Sequence, residues 1–118
     1  MSKIPQRFQR FTKEHPEIAV AYEKLGTECH RGGPLGEKER ALVKLGISIG
    51  ARLEGGVHSH VRKALDAQVR PEEIIHVALL SLPTIGLPSM MAAMSWIDDI
   101  LSSPKTKSRR RKKSAVKN

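Results

Sequence analysis

Ala51-Arg-Leu-Glu-Gly-Gly-Val-His-Ser-His-Val-Arg-Lys-Ala-Leu65 is the stretch on which the fold reading turns. Laid on a helix from about Val57 to Gln68, at 100° per residue, Val57, Val61, Ala64, Leu65 and Ala67 gather on one side. His60 falls among them. His58 lands at the edge of that face, beside the polar arc of Arg62 and Asp66. The two histidines are two positions apart and do not face each other, which makes them poor joint ligands for one metal ion. Ahead of them, Gly55-Gly56 reads as a break or kink.

Outward from this stretch the apolar segments carry helical spacing, and no period-2 pattern appears. Upstream, about Gly36 to Leu53 reads as a central helix, with Leu42, Val43, Leu45, Ile47, Ile49 and Leu53 on one broad side. Arg40, Lys44, Ser48 and Arg52 hold the other side. Gly46 and Gly50, one turn apart among the apolar residues, predict close approach of another backbone. Before it, Pro16-Glu17 opens a helix whose apolar positions are Ile18, Ala21, Tyr22 and Leu25, and Arg31-Gly-Gly-Pro34 stops it. Downstream, Pro71-Glu-Glu73 starts a helix whose Ile74, Ile75, Val77, Ala78, Leu79 and Leu80 predict burial all round. Pro83-Thr-Ile-Gly-Leu-Pro88 reads as an apolar loop that covers a pocket or meets another subunit. A last helix, about Ser89 to Leu101, carries Met90, Ala93, Met94, Ile97 and Leu101 as its stripe.

The chain has 118 residues, enough for one core. Only Trp96, Tyr22, Phe8 and Phe11 are aromatic, so a subunit that buries more in an oligomer fits the composition. Of the net charge of +9, eight charges lie between Lys105 and Lys117 with no acid among them, which leaves +1 for the rest. Residues 1–15 read as a basic arm and 104–118 as a disordered basic tail. Such a tail suits weak, nonspecific, salt-sensitive binding of polyanions, or simply solubility, and it has no interleaved aromatics for base stacking. The lone Cys29 excludes an intrachain disulfide framework, and no apolar run has the length of a membrane span or signal peptide. The expectation is a cytoplasmic protein with no membrane association.

The chemistry-bearing residues are few. His60 on an apolar face is either a core histidine satisfied by a carbonyl or a general acid/base, since imidazole titrates near neutrality. The core reading is the commoner one for such a residue; the glycine pair before it adds weight to the second, because bare backbone at a helix start can admit a substrate or an anion. Glu54 stands one turn before His58 if helical geometry runs through the glycines, a spacing that would favour charged imidazole; the other reading is a surface acid ending the preceding helix. His76 reads as a satisfied core residue and Cys29 as an inert thiol. Met90, Met91 and Met94 read as core or interface filling. Neither a cofactor nor a metal ion is called for.

Three segments taken together resemble a known family: Pro34-Leu-Gly-Glu-Lys-Glu-Arg-Ala-Leu-Val-Lys-Leu-Gly-Ile-Ser-Ile-Gly-Ala-Arg-Leu-Glu54, His60-Val-Arg-Lys-Ala-Leu65 and Pro71-Glu-Glu-Ile-Ile75. They are similar to the carboxymuconolactone decarboxylase and alkylhydroperoxidase D-like domain, over about residues 16–101. The resemblance implies an all-α bundle of five to six helices over residues 16–103, assembled as a homotrimer or homohexamer, with the active site between helices near a subunit interface. The peroxidase branch carries Cys-x-x-Cys, then three intervening residues and a His. With that His on His60, the thiols fall at Leu53 and Gly56, and the family's glutamate falls at Ala41. Glu39 lies about 200° round the helix from Ala41 and is no simple substitute. Thiol-based peroxide reduction through the usual residues is therefore disfavoured. What the resemblance implies is a cofactor-free lyase or decarboxylase acting on a small organic acid or lactone, with His60 as the acid/base and His58 or Glu54 assisting. The alternative is a non-catalytic oligomeric binding or assembly member of the family.

Overall fold

A computed structural model describes residues 4–104 and 106. Among these the chain is all-helical, with α1 (Gln6–Glu14), α2 (Pro16–Arg31), α3 (Glu37–Gly50), α4 (Glu54–Asp66), α5 (Pro71–Ile85) and α6 (Leu87–Leu101). The remainder of the basic tail lies outside the described residues. No described helix is long and apolar enough to cross a membrane.

The chain divides at Gly36 and Glu37 into two compact units. The first is the helical pair α1–α2. Pro16 occupies the first turn of α2 and Glu17 faces the positive end of its dipole, as the sequence predicts. The Phe11 ring tilts against His15 with 5.5 Å between centroids. Neither helix contains a buried residue, and Ile18, Val20, Tyr22 and Leu25 are exposed, as is Cys29.

The second unit is built from α3 to α6. Leu45 and Ile49 of α3, Val57, Val61 and Ala64 of α4, Ile74 and Ala78 of α5, and Ala93, Ile97, Ile100 and Leu101 of α6 form its core, with Val69 joining from the α4–α5 turn. Each fully buried Leu, Ile or Val there contributes roughly 1.5–3 kcal/mol over leaving it in water. Met90 is buried and Met94 packs against the core, whereas Met91 is exposed.

The break between α3 and α4 differs from the sequence reading. It falls at Ala51-Arg52-Leu53, and Gly55-Gly56 lie inside the first turn of α4. Arg52 takes the left-handed conformation at φ 58°. Its N–H bonds the Ile49 carbonyl at 3.0 Å, and the Leu53 N–H reaches back to the Ser48 carbonyl at 3.1 Å. These two bonds satisfy the last carbonyls of α3 and stop it. The same device ends α4: Gln68 has φ 68°, its N–H bonds Leu65 O at 3.1 Å, and Val69 N–H bonds Ala64 O at 2.9 Å. Because left-handed backbone strains a residue with a Cβ, Arg52→Gly and Gln68→Gly are each expected to raise stability by up to about 1 kcal/mol, read from urea unfolding. A loss instead would show that these side chains hold contacts worth more than the strain.

The glycine roles also shift. A Cβ on Gly46 would meet Val77 Cγ1 at an ordinary 3.8 Å, and one on Gly50 would meet nothing within 4 Å. The tight position is Gly56, where a Cβ would sit 3.1 Å from Leu53 Cβ and 3.4 Å from Ser48 Oγ. Ser48, assigned to the polar side from sequence, is in fact buried between α3 and α4, and its hydroxyl donates to the Lys44 carbonyl at 3.1 Å.

The expected Pro83–Pro88 loop contracts to one residue. α5 continues through Pro83 to Ile85, and Gly86, at φ 98°, makes the turn into α6 with Pro88 in its first turn. Pro83 has no N–H to give Leu79, so α5 forgoes one backbone bond near its end without stopping. Nor is α5 buried all round. Ile74, Ala78 and Ser81 face inward at i, i+4 and i+7, while Ile75, Leu79, Leu80 and Leu82 are exposed. His76 is exposed as well, not a core residue.

At the start of α5 the Glu73 carboxylate accepts the Arg70 backbone N–H at 2.9 Å and the Lys38 ammonium of α3 at 2.8 Å. The Lys38 hydrogen bond first, then the Arg70 backbone N–H, hold Glu73 down to about pKa 2. Its folded pKa lies below its unfolded one, so the stabilisation is present above about pH 4.5 and is lost as pH falls towards 2. Glu73→Gln is expected to flatten that part of the acid unfolding curve, and an unchanged curve would remove Glu73 from the account.

Candidate functional site

His60 lies on α4 between the buried Val57, Val61 and Ala64, and is itself only partly covered. Lys63 follows it by three residues, hence on the same side of the helix. Lys44 of α3 also acts on it. Burial, then the Lys63 charge, then the Lys44 charge push the imidazole down from 6.5 to about 4. At neutral pH the ring is therefore uncharged and able to accept a proton.

The imidazole of His60 has no hydrogen-bonding partner among the described residues, yet no buried side-chain nitrogen or oxygen there lacks one. Its ring nitrogens are thus reached by solvent. This speaks against a core histidine bonded to a carbonyl, and for a ring open to a ligand.

The structure separates His60 from the other two sequence candidates. Two positions along α4 is about 200°, so His58 leaves the opposite side of the helix and meets α6. There His58 Nε2 lies 2.9 Å from Asp99 Oδ2. Helical geometry does run through Gly55-Gly56, so Glu54 stands one turn before His58. Donor atoms of Glu54, His58 and Asp99 all lie within 4.8 Å of one another. Nothing local in the sequence singles out Asp99. It is 41 residues from His58, and only the packing of α6 on α4 brings it in.

Leu53, where the resemblance would put one peroxidase thiol, is exposed in the α3–α4 turn, and Gly56, where it would put the other, is the described glycine with least room for a side chain. Ala41 packs against the core with no carboxylate to offer.

The carboxymuconolactone decarboxylase family profile matches residues 16–99, and the chain belongs to that family. An uncharacterized protein of Haemophilus influenzae (strain Rd) is 29% identical over 63 residues, covering 53% of this chain and 56% of that protein. The chain thus spans little more than half the length of that relative. No solved structure gives a significant match.

Proposed function

We propose that the chain is a lyase or decarboxylase-like enzyme of its family, acting on a small organic acid or lactone with His60 as the proton carrier. The observation that carries this reading is the open, uncharged imidazole set beside two lysines. Lys63 and Lys44 supply a positive field that draws a carboxylate and stabilises the enolate-like charge developing on a lactone or acid. A neutral imidazole beside that charge takes up a proton and returns it. In this reading the step belongs to His60 alone, with His58 and Glu54 leaving the other side of α4.

Assembly as a homotrimer or homohexamer belongs to the same proposal. Ile75, Leu79 and Leu82 recur at i, i+4 and i+7 along α5, and Val43 and Ile47 at i and i+4 along α3, all exposed in one subunit. Apolar stripes at helical spacing are what another helix packs against. The test of the catalytic reading is a screen of lactone acids and small carboxylic acids for turnover, followed by His60→Gln. A thiol-dependent peroxidase assay is expected to show no activity, because Leu53 and Gly56 stand where the thiols would be.

A further inference from the structure

Glu54 opens α4, His58 stands one turn further on, and Asp99 lies in the last turn of α6. One imidazole nitrogen and two carboxylate groups converge there from two helices, with donor atoms within 4.8 Å of one another. The cluster is acidic. Asp99 is followed by no basic residue in the last turn of α6, and Asp98 stands next to it. Two carboxylates thus sit at the negative end of a helix dipole, where acids are disfavoured. Glu54 adds a third negative charge from across the helix pair, and His58 is the single group of the cluster able to carry a positive one.

We infer that Glu54, His58 and Asp99 form a binding site for a divalent transition-metal ion, of the zinc or manganese kind, that clamps the start of α4 to the end of α6. A mixed nitrogen and oxygen donor set suits such borderline ions better than calcium or magnesium, which take oxygen alone. The geometry needs little change. Ligand bonds of about 2.0–2.1 Å place neighbouring donors roughly 3.0–3.4 Å apart, so the 2.9 Å between His58 Nε2 and Asp99 Oδ2 opens by a few tenths of an ångström. Glu54 closes from within 4.8 Å by a rotamer change at an exposed helix end. The remaining positions go to water, because Asp99 and Glu54 are exposed. His60 faces the other side of α4, so the clamp is separate from the proposed catalytic ring and acts on the bundle.

The full chain is titrated with Zn2+, and separately with Mn2+, by calorimetry and by thermal unfolding. One ion bound per chain and a raised Tm are expected. His58→Gln, Asp99→Asn and Glu54→Gln should each weaken binding by about tenfold or more and remove the Tm shift. His76→Gln and His15→Gln, at histidines outside the cluster, should change neither. Circular dichroism of each ion-free variant checks that the helices remain. The assignment is overturned if neither ion raises the Tm, or if binding and the Tm shift survive in His58→Gln and Asp99→Asn.

Discussion

His60→Gln is expected to lower turnover of a lactone or small-acid substrate by roughly 10²–10⁴-fold, the usual worth of a positioned acid/base, while leaving the helices intact. Glutamine keeps a polar group of similar reach at a partly covered site, so no cavity opens in the core beside Val57, Val61 and Ala64. The pH dependence is specific. Because His60 is pushed down to about 4, first by burial and then by Lys63 and Lys44, the acid limb of kcat/KM should fall near pH 4 and not near 6.5. Lys44→Ala or Lys63→Ala removes one of the depressing charges, so the limb should move upward while KM for an anionic substrate rises. Stability carries the same signature. A folded pKa below the unfolded 6.5 means that the neutral imidazole stabilises fully above about pH 6.5, and that this contribution is lost as pH falls towards 4. In His60→Gln that slope should vanish. Wild-type turnover in the variant would end the catalytic assignment of His60.

What the sequence made legible, and what it hid, follows the range of each signal. Helix existence is a local property: Pro16-Glu17 and Pro71-Glu-Glu73 announce starts, and apolar spacing marks the inner faces of α4 and α6. Boundaries are less legible, because the local signals for them are glycine and proline. Here Arg52 and Gln68, not glycines, take the left-handed ends, and Pro83 stays inside α5. Ser48 reads as a polar-side residue for a different reason. The α3–α4 approach at Gly56 buries a small hydroxyl whose bond to Lys44 O is invisible in a polarity pattern. At the site, His60 is legible because a histidine in an apolar face is a local anomaly. Its lysine neighbours needed one intrahelical spacing and one helix–helix contact. Asp99 needed the tertiary fold outright, since nothing near it in sequence points to His58.

A pair of alanine substitutions should separate the fold of one subunit from its assembly. Leu45 of α3 is fully buried in the α3–α6 core, so Leu45→Ala is expected to cost about 2–5 kcal/mol, the range for emptied leucine sites. Against a total of roughly 5–15 kcal/mol for a domain of this size, that leaves a marginal protein, seen as a lower urea midpoint with little change in slope. Leu79 is 47% exposed in a single subunit, so in a monomer Leu79→Ala should cost no more than about 0.5 kcal/mol. In a trimer or hexamer that covers the outer stripe of α5, the same truncation approaches the Leu45 value. The wild-type Tm then rises with protein concentration, because assembly stabilises by mass action. Leu79→Asp would go further, placing an unpaired charge in that interface and shifting the sedimenting species to one subunit. A near-neutral Leu79→Ala in a chain that sediments as a monomer would overturn the assembly proposal. Leu45→Ala would keep its cost in either case, because that cost comes from contacts made within one subunit.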